Sequence, residues 1–334
     1  MKFLVKDIGL DAFKELIEEQ HKALSTQTYE IDTTGFDKPA QFTDAALPQV
    51  EITDQKAFEL WKKTNVLPQK QDGLFAIGIK VKLGDFYTNQ ARVLAGLVKK
   101  YAANELRLSL RQNIILRDIR EEAIPFFYSE LEKLGLVDPG FNSLIDITAC
   151  PGTDTCNLGI ASSTGIAAKL EEVLQEEYPD VVENKDLTIK ISGCMNACGQ
   201  HNMAHIGFQG MSVRTPEKLV APALQVLLGG GILGDGQGRF ADKVIKVPSK
   251  RGPQALREIL NDFKANGNGL DFLSYYDQQG QKYFYDFLKP LSDTDNLTED
   301  DFVDWGNEEK YIQEVGVGEC AGVVIDLVQT LLLE

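Results

Sequence analysis

The sequence predicts an α+β fold in which a small sheet-and-helix unit precedes a larger α/β unit. Between Gly73 and Leu136, hydrophobic patterns typical of strands and of helices alternate, which indicates a β-α-β-α arrangement. After Ser143, two apolar strands flank a helical segment, which is typical of a β-α-β crossover with parallel strands. With 334 residues, of which 43% are hydrophobic, the chain can form one large domain or two smaller ones.

The predicted elements follow one another along the chain. An amphipathic helix over about residues 10–23 comes first, and a polar, proline-containing stretch separates it from the rest. The small unit is half or more of a ferredoxin-like α+β sandwich. Its elements and those of the larger unit are expected in this order: strand 74–83, helix 89–103, strand 105–119, helix 121–136, strand 144–147, helix 165–176 and strand 187–191.

Composition and charge exclude several classes of function. Lys and Arg number 34 against 50 Asp and Glu, which gives a formal charge of -16 and argues against nucleic-acid binding. The N-terminus has no secretory signal, and the longest apolar stretch, residues 323–333, is too short to span a bilayer. The five cysteines do not resemble a secreted disulfide framework. We therefore expect a cytoplasmic protein that binds neither nucleic acid nor membrane.

Four cysteines form two close pairs, each directly after a predicted parallel strand. Cys150 and Cys156 follow the first strand, and Cys194 and Cys198 follow the second. Ligands of open α/β sheets bind beyond the carboxyl ends of the strands, so both pairs can converge on one four-cysteine site. Five residues lie between Cys150 and Cys156, which is wide for zinc, whereas an iron–sulfur cluster tolerates this spacing. The spacing favours iron–sulfur and leaves zinc, or no metal, as alternatives.

The residues around the cysteines resemble a known signature. The segments Cys150-Pro151-Gly152-Thr153-Asp154-Thr155-Cys156-Asn157-Leu158-Gly159 and Gly193-Cys194-Met195-Asn196-Ala197-Cys198-Gly199-Gln200-His201, followed by Ile206-Gly207-Phe208, resemble the sirohaem-binding signature of the nitrite/sulfite reductase family. The family usually has proline where this chain has Met195, a position that is not a ligand.

The resemblance implies specific cofactors and ligands. Cys150, Cys156, Cys194 and Cys198 would hold a [4Fe–4S] cluster, and Cys198 would be the bridging, proximal ligand to the sirohaem iron, which makes it the catalytic residue. Electrons that enter at the cluster would pass through this sulfur, so that nitrite or sulfite is reduced by several electrons without release of partly reduced species. Within the same motif we predict Asn196, Gln200 and His201 as cofactor-binding residues.

A second candidate feature is a basic strand face. In a strand over 105–119, Arg107, Ser109, Arg111, Asn113 and Arg117 would share one face, and Lys80 and Lys82 of the preceding strand would add to it. Sirohaem carries many carboxylates, so we predict Arg107, Arg111 and Asn113 as cofactor-binding residues; the alternative is a solvated sheet face. The resemblance adds a further alternative, because complete enzymes of the family contain this unit twice and take their anion-binding residues mainly from the first copy. Arg107 and Arg111 would then line the pseudo-symmetric pocket.

The resemblance also implies how the chain is organised and what it does. We expect the C-terminal half of an assimilatory nitrite or sulfite reductase, which needs its N-terminal half and takes electrons from ferredoxin or a flavoprotein. The alternative is a truncated iron–sulfur polypeptide of the same fold without a substrate pocket. The expected parts are a linker and helix that end the missing first half (1–67), a ferredoxin-like half-domain (68–140), an α/β sirohaem/[4Fe–4S]-binding domain (141–290) and an acidic tail (291–334).

Four remaining features are expected to be structural. His201 and His205 have metal-pair spacing but are interpreted mainly as structural histidines. The glycine-rich run 229–236 lacks the ending of a phosphate loop and is interpreted as a turn, and Cys320 as a small buried thiol. The aromatic residues between Tyr275 and Phe287 are expected in the core.

Overall fold

The computed structural model describes residues 2–24, 30–32 and 46–313, which fall into two compact units. The unit formed by residues 1–40 contains helix α1 (Lys2–Ile8) and helix α2 (Leu10–Ala23). Gly9 separates them with φ of 84°, a conformation that glycine adopts without strain. The predicted helix over 10–23 is confirmed. Cys320 and the apolar stretch 323–333 lie outside the described residues.

The second unit begins with a four-stranded antiparallel sheet that is covered by helices. Its strand order is β1-β2-β4-β3. Buried aromatic and aliphatic residues such as Trp61, Ile77, Leu116 and Phe127 form its core. The elements are helix α3 (Gln55–Asn65), strands β1 (Val66–Pro68) and β2 (Leu74–Ile79), helix α4 (Thr88–Tyr101), strands β3 (Leu106–Leu108) and β4 (Ile114–Arg120), and helix α5 (Ile124–Glu132).

The prediction of one strand over 105–119 is wrong, because the chain reverses direction there. Strands β3 and β4 pair antiparallel, and Gln112 in the intervening turn has a left-handed φ of 65°. The alternating leucines are not a buried face, since Leu108 and Leu110 are each 82% exposed. The expected continuous cationic face of 105–119 therefore does not form.

Three other boundaries differ from the prediction. Strand β2 ends at Ile79, so Lys82 lies in a short 3-10 turn. The helix predicted over 121–136 is a 3-10 turn followed by α5, where Pro125 fits the first turn because its missing N–H would have no helical partner. Residues 144–147 are buried but form turns, and the strand before Cys150 is only Thr148–Ala149.

The larger part of the second unit is a mixed five-stranded sheet in the order β11-β8-β7-β6-β5. Strands β5, β6 and β7 are parallel, whereas β8 and β11 are antiparallel to their neighbours. The predicted β-α-β crossover is confirmed as β5-α6-β6. The elements are β5 (Thr148–Ala149), α6 (Ser163–Glu177), β6 (Ile189–Ser192), β7 (Ile206–Arg214), β8 (Val220–Leu228), β9 (Gly231–Gly234), β10 (Gln237–Arg239), β11 (Asp242–Pro248), α7 (Gly252–Asn266), α8 (Phe272–Gln279) and α9 (Gln281–Leu288).

The core of this larger part lies between the sheet and its helices. Ile191, Phe208 and Val226 of the sheet belong to the same buried cluster as Leu170 of α6. The aromatic residues Tyr275, Tyr276 and Phe284 join this cluster as predicted, whereas Tyr285 is exposed. The glycine-rich run 229–236 contributes the β9-β10 hairpin, with the predicted turn at residues 235–236. No helix of the described residues is long and apolar enough to cross a membrane.

The turn between β3 and β4 fastens the small sheet to the larger one. Gln112 donates to the Ala149 carbonyl at 2.8 Å and accepts from the Ala149 N–H at 3.1 Å, which extends the edge of β5. Asn113 is fully buried; it donates to a carboxylate oxygen of Asp146 and accepts from the Val81 N–H at 2.9 Å. Arg111 donates to the Asn142 carbonyl at 2.7 Å. The Arg-Gln-Asn sequence therefore forms an interface between the two sheets.

A buried ion pair crosses the same interface. Lys80 Nζ and Glu171 Oε1 are 3.6 Å apart, and each side chain is 3% exposed. Burial raises the pKa of Glu171, and the nearby Lys80 opposes that rise. Lys80 thus neutralises a carboxylate of α6 and does not point to solvent with the other predicted cations.

We predict that Asn113→Ala lowers the free energy of unfolding by about 3 kcal/mol, because it leaves a buried carboxylate and a buried N–H without a partner. Urea unfolding measures this change. Arg107→Ala is the control, since its side chain is 56% exposed, and it is expected to shift stability by less than about 0.5 kcal/mol. Equal effects of the two substitutions would contradict a structural role for Asn113.

Candidate metal centre

The two cysteine pairs lie on loops that meet at the carboxyl ends of β5 and β6. We call residues 150–161 the first cysteine loop and residues 193–200 the second cysteine loop. The Cys150 N–H donates to the Ile191 carbonyl at 3.2 Å, which continues the parallel pairing of the strands. The Gly193 carbonyl accepts from Ile160 at 2.8 Å and from Ala161 at 3.1 Å. The end of the first loop is thus bonded to the start of the second.

Glycine is required where the loops touch. A Cβ atom on Gly193 would lie 2.6 Å from the Gly152 Cα and 2.8 Å from the Ala161 carbonyl oxygen, well inside van der Waals contact. Gly152 has a left-handed φ of 56°. The two backbones can therefore approach this closely only because both positions lack side chains.

The four thiols lie close enough to affect one another. Burial raises the pKa of the Cys194 thiol, an Asn196 backbone hydrogen bond lowers it, and Cys150, Cys156 and Cys198 raise it further. The Gly193 N–H donates to Cys150 Sγ at 3.1 Å, and the Ser163 hydroxyl lies 3.5 Å from the same sulfur. Cys194 is buried, whereas Cys156 and Cys198 are exposed. The four sulfur atoms thus lie near one another, with Cys194 below the protein surface and Cys156 and Cys198 at the surface.

This arrangement does not resemble a site for one metal ion. Among residues 2–24, 30–32 and 46–313, no three His, Cys, Asp or Glu side chains are placed to hold a single ion. A zinc site needs its sulfur atoms about 2.3 Å from one centre. A cubane cluster instead binds each thiolate to a different iron atom and therefore separates the sulfur atoms more widely. The four cysteines on the two loops therefore fit the donor set of a cluster, which does not require three sulfur atoms around one point.

The polar residues of the second motif have three different environments. Asn196 is exposed. Gln200 has a left-handed φ of 57° and accepts a hydrogen bond from Lys190 Nζ at 2.6 Å. His201 is only 3% exposed, and burial lowers its pKa to about 4 despite a hydrogen bond to Gln209. His201 is therefore a neutral, interior imidazole at pH 7.

The structure does not bring His201 and His205 into a metal pair. His205 Nδ1 lies 2.9 Å from Thr188 Oγ1, and its pKa is lowered by burial and by the positive charge of Arg111. This agrees with the interpretation of both residues as structural histidines.

The residues predicted on the basic face lie at the domain interface or on the surface. Arg111 and Asn113 make the interface bonds described above, and burial lowers the pKa of Arg111. Arg107 is exposed, with its Nε 3.6 Å from Glu105 Oε1, and Arg117 forms an ion pair with the same carboxylate. These cations do not converge on one anion site as the continuous strand had implied.

Sequence reasoning missed several residues that contact the cysteine loops. Ser163 donates to the Cys150 carbonyl at 2.6 Å. Asp304 accepts from the Ser162 N–H at 2.7 Å, and Tyr311 donates to the Ile160 carbonyl at 2.7 Å. No local pattern could reveal the last two contacts, because they join positions more than 140 residues apart in a segment predicted as an acidic tail.

Two protein-family models match parts of the second unit. "Nitrite/Sulfite reductase ferredoxin-like half domain" matches residues 67–134, and "Nitrite and sulphite reductase 4Fe-4S domain" matches residues 140–271. The matches confirm the predicted α+β class, with a ferredoxin-like half-domain followed by a larger domain. All four paired cysteines lie inside the second match.

Several curated proteins are similar over most of this chain. It is 28% identical over 297 residues to the assimilatory ferredoxin-dependent nitrite reductase of Haloferax mediterranei, covering 87% of this chain and 47% of that protein. It is 28% identical to the chloroplastic ferredoxin–nitrite reductase of Spinacia oleracea (79% and 41%) and 26% identical to the ferredoxin sulfite reductase 2 of Mycolicibacterium paratuberculosis (82% and 46%). The chain spans about half the length of the curated relatives it matches.

Solved structures show the same fold at lower identity. The NirA protein of Mycobacterium tuberculosis matches with a TM-score of 0.57 and 23% identity, over 85% of this chain and 48% of that chain. Dissimilatory sulfite reductase I matches with a TM-score of 0.52 and 9% identity, over 72% of this chain and 76% of that chain. At these identities the likeness concerns the fold alone.

We predict that Gly193→Ala destabilises the protein by about 3 kcal/mol or more, because the added methyl group collides with backbone on two sides. Gly96→Ala is the matched control, since Gly96 lies in α4 and, apart from its chain neighbours and the nearby backbone of that helix, none of the described residues comes within 4 Å of the position that its Cβ atom would occupy. It should raise stability by up to about 1 kcal/mol through helix propensity. Chemical unfolding of both variants measures the difference, and a neutral Gly193→Ala would show that the loops do not meet this closely.

We predict a pH dependence of stability from His201. Its folded-state pKa of about 4 lies below the unfolded value of about 6.5, so unfolding takes up a proton in this range. The stability that the neutral ring provides is present above pH 6.5 and is lost as the pH falls toward 4, by up to about 3 kcal/mol. The difference in unfolding free energy between wild type and His201→Gln should therefore shrink from pH 7 to pH 4. A difference that is constant with pH would contradict the burial of this imidazole.

Proposed function

Since this chain belongs to the nitrite and sulfite reductase family, we propose that it is the cofactor-bearing half of an enzyme that reduces nitrite to ammonia or sulfite to sulfide. The family assignment implies a [4Fe–4S] cluster and sirohaem as cofactors. The observation that carries the proposal is the junction of two cysteine loops, with the Gly193 N–H on Cys150 Sγ, inside the part matched by the 4Fe-4S domain.

We assign the four cysteines as cluster ligands, with Cys198 as the bridging, proximal ligand to sirohaem. Held by these residues, the two cofactors would supply one-electron transfer for the reduction of nitrite or sulfite. The Gly193 and Asn196 N–H groups donate toward the sulfur atoms of Cys150 and Cys194, which offsets the negative charge of the thiolates. The exposure of Cys198 supports the bridging role, because that sulfur must reach a second, bulky group.

We divide the other predicted cofactor-binding residues by exposure. Asn196 and Arg107 are exposed, so their side chains can meet polar groups of a bound sirohaem or of an adjoining domain. Arg111, Asn113, Gln200 and His201 already have partners within the protein, and we assign them to the support of the loops and of the domain interface. The carboxylates of sirohaem therefore need further cations from elsewhere.

We propose that a first half of similar fold supplies those cations and completes the substrate pocket. Three observations support this: the chain spans about half the length of its relatives, its net charge is -16, and Lys80, Arg111 and Arg117 are engaged in interface or intra-sheet contacts. The first half can belong to the same polypeptide or to another one. As the substrate we propose nitrite, and as the electron donor ferredoxin, because the relatives from Haloferax mediterranei, Spinacia oleracea and Synechococcus elongatus are ferredoxin-dependent nitrite reductases.

The test is anaerobic reconstitution of the chain with iron, sulfide and sirohaem. We expect about four non-haem irons and four sulfides per chain, with a sirohaem absorption spectrum that couples to the cluster. Cys198→Ser should abolish this coupling, and Cys156→Ser should reduce iron and sulfide sharply. Cys320→Ser is the control, because Cys320 lies outside the motif, and it should retain both cofactors.

Activity distinguishes the complete proposal from a polypeptide that only binds a cluster. With reduced methyl viologen as the electron donor, the chain should reduce nitrite or sulfite when the first half of a related reductase is added. Without that first half, it should reduce little of either. A protein that binds zinc in place of iron would contradict the assignment of the ligands. Full activity of the chain alone would contradict the need for a first half, and cofactor binding without activity in any mixture would favour the truncated polypeptide.

A further inference from the structure

Residues 302–311 form a closed loop that contacts the first cysteine loop at Ile160. We call residues 302–311 the strap. Val303 and Lys310 form an isolated antiparallel bridge, and the Tyr311 N–H donates to the Phe302 carbonyl at 2.7 Å. The strap therefore has a defined shape of its own. It lies outside both family matches, the second of which ends at residue 271.

Asp304 anchors one side of the strap in the protein interior. It is 3% exposed and accepts from the Ser162 N–H at 2.7 Å and from the Ser249 hydroxyl at 3.1 Å. Ser162 is the N-cap of α6 and directly follows the first cysteine loop. A buried carboxylate on a backbone N–H is a strong bond, so Asp304 fixes the point where the loop enters α6.

Trp305 adds a second anchor next to Asp304. Its indole N–H donates to the Ser249 carbonyl at 2.9 Å, and Lys250 Nζ lies 4.5 Å from the ring centroid. The Trp305 carbonyl oxygen leaves no room for a Cβ atom on Gly165, so the strap packs directly against the first turn of α6. The strap thus contacts two ordered elements, the first turn of α6 and the turn that contains Ser249 and Lys250.

Tyr311 holds the cysteine loop itself. Its hydroxyl donates to the Ile160 carbonyl at 2.7 Å, while the Ile160 N–H donates to Gly193 of the second cysteine loop at 2.8 Å. Burial raises the pKa of Tyr311 to about 12, so the donor proton is present at neutral pH. Residue 160 is consequently bonded on one side to the strap and on the other to the second loop.

Exposed Cys156 lines a cavity beside the strap. The cavity has a volume of about 390 Å³, and Cys156, Ile160, Asp304 and Tyr311 are among its lining residues. The hydrogen bonds of Tyr311 and Asp304 hold the backbone at Ile160 and Ser162, a few residues after Cys156 in the chain.

We propose that Asp304 and Tyr311 are positioning residues that hold the first cysteine loop in the conformation that binds the cluster. This inference rests on the proposed function, in which Cys150 and Cys156 of that loop are cluster ligands. Asp304 and Tyr311 fix the C-terminal end of the loop, while the Cys150 N–H fixes its start on Ile191. A loop held in this way presents its thiolates with a smaller ordering cost when the cluster binds and opposes their release afterwards.

The first test is hydrogen–deuterium exchange of the cluster-free chain, because it does not depend on the proposed function. Tyr311→Phe removes one hydroxyl and should speed exchange in peptides covering residues 152–162 by roughly tenfold. Tyr178→Phe is the matched control, since it removes an exposed hydroxyl bond, 2.9 Å from Asn261, from a half-buried ring that does not contact the strap. It should leave those peptides unchanged. Equal exchange in Tyr311→Phe and wild type would overturn the proposal.

The second test measures cluster retention in the reconstituted protein. Tyr311→Phe and Asp304→Ala should bind the cluster but lose it to a chelator roughly five- to tenfold faster than wild type, and Tyr178→Phe should match wild type. A purely structural strap would change unfolding without changing the rate of cluster loss, and that result would also overturn the proposal. If wild type takes up no cluster, the proposed function fails, and the exchange result alone still decides whether the strap orders the loop.

Discussion

The close contact between the two cysteine loops is the constraint on which the rest of the site depends. Gly193 donates to Cys150 Sγ, accepts from Ile160 and Ala161, and lies against Gly152 without room for a side chain. One residue thus fixes the separation of two chain segments that are more than 40 residues apart. Buried backbone groups that are fully bonded resist displacement, so the thiols keep their positions before any cofactor binds.

The parallel strands and the domain interface make this contact possible. Strands β5 and β6 end side by side, and the crossover helix α6 returns the chain to the same edge. Strand β5 is only two residues long, so it needs support on its free edge, which the Gln112 side chain supplies by bonding both polar groups of Ala149. The ferredoxin-like half-domain is therefore a structural part of the cysteine site, and the strap at Asp304 and Tyr311 supports it from another direction.

The sequence predicted the cysteine pairs, the crossover and most helices correctly because these depend on local patterns. It failed at residues 105–119, where leucines alternate but the chain turns at Gln112. Alternation reports which residues could share a face, and it cannot show that a turn separates them when the turn residue is not glycine or proline. The same limit hides the interface bonds of Asn113 to Asp146 and Val81 from the sequence.

The sequence by itself indicated the cofactors that we propose for this protein. The spacing of four cysteines after predicted parallel strands favours an iron–sulfur site, and the resemblance of their flanking residues to the family signature implies sirohaem. Only the tertiary structure decided which polar side chains face that site and which hold the domains together. The reason is that Lys80, Arg111, Asp304 and Tyr311 have partners about 30 to 150 residues away, and contacts over such distances leave no pattern in the local sequence.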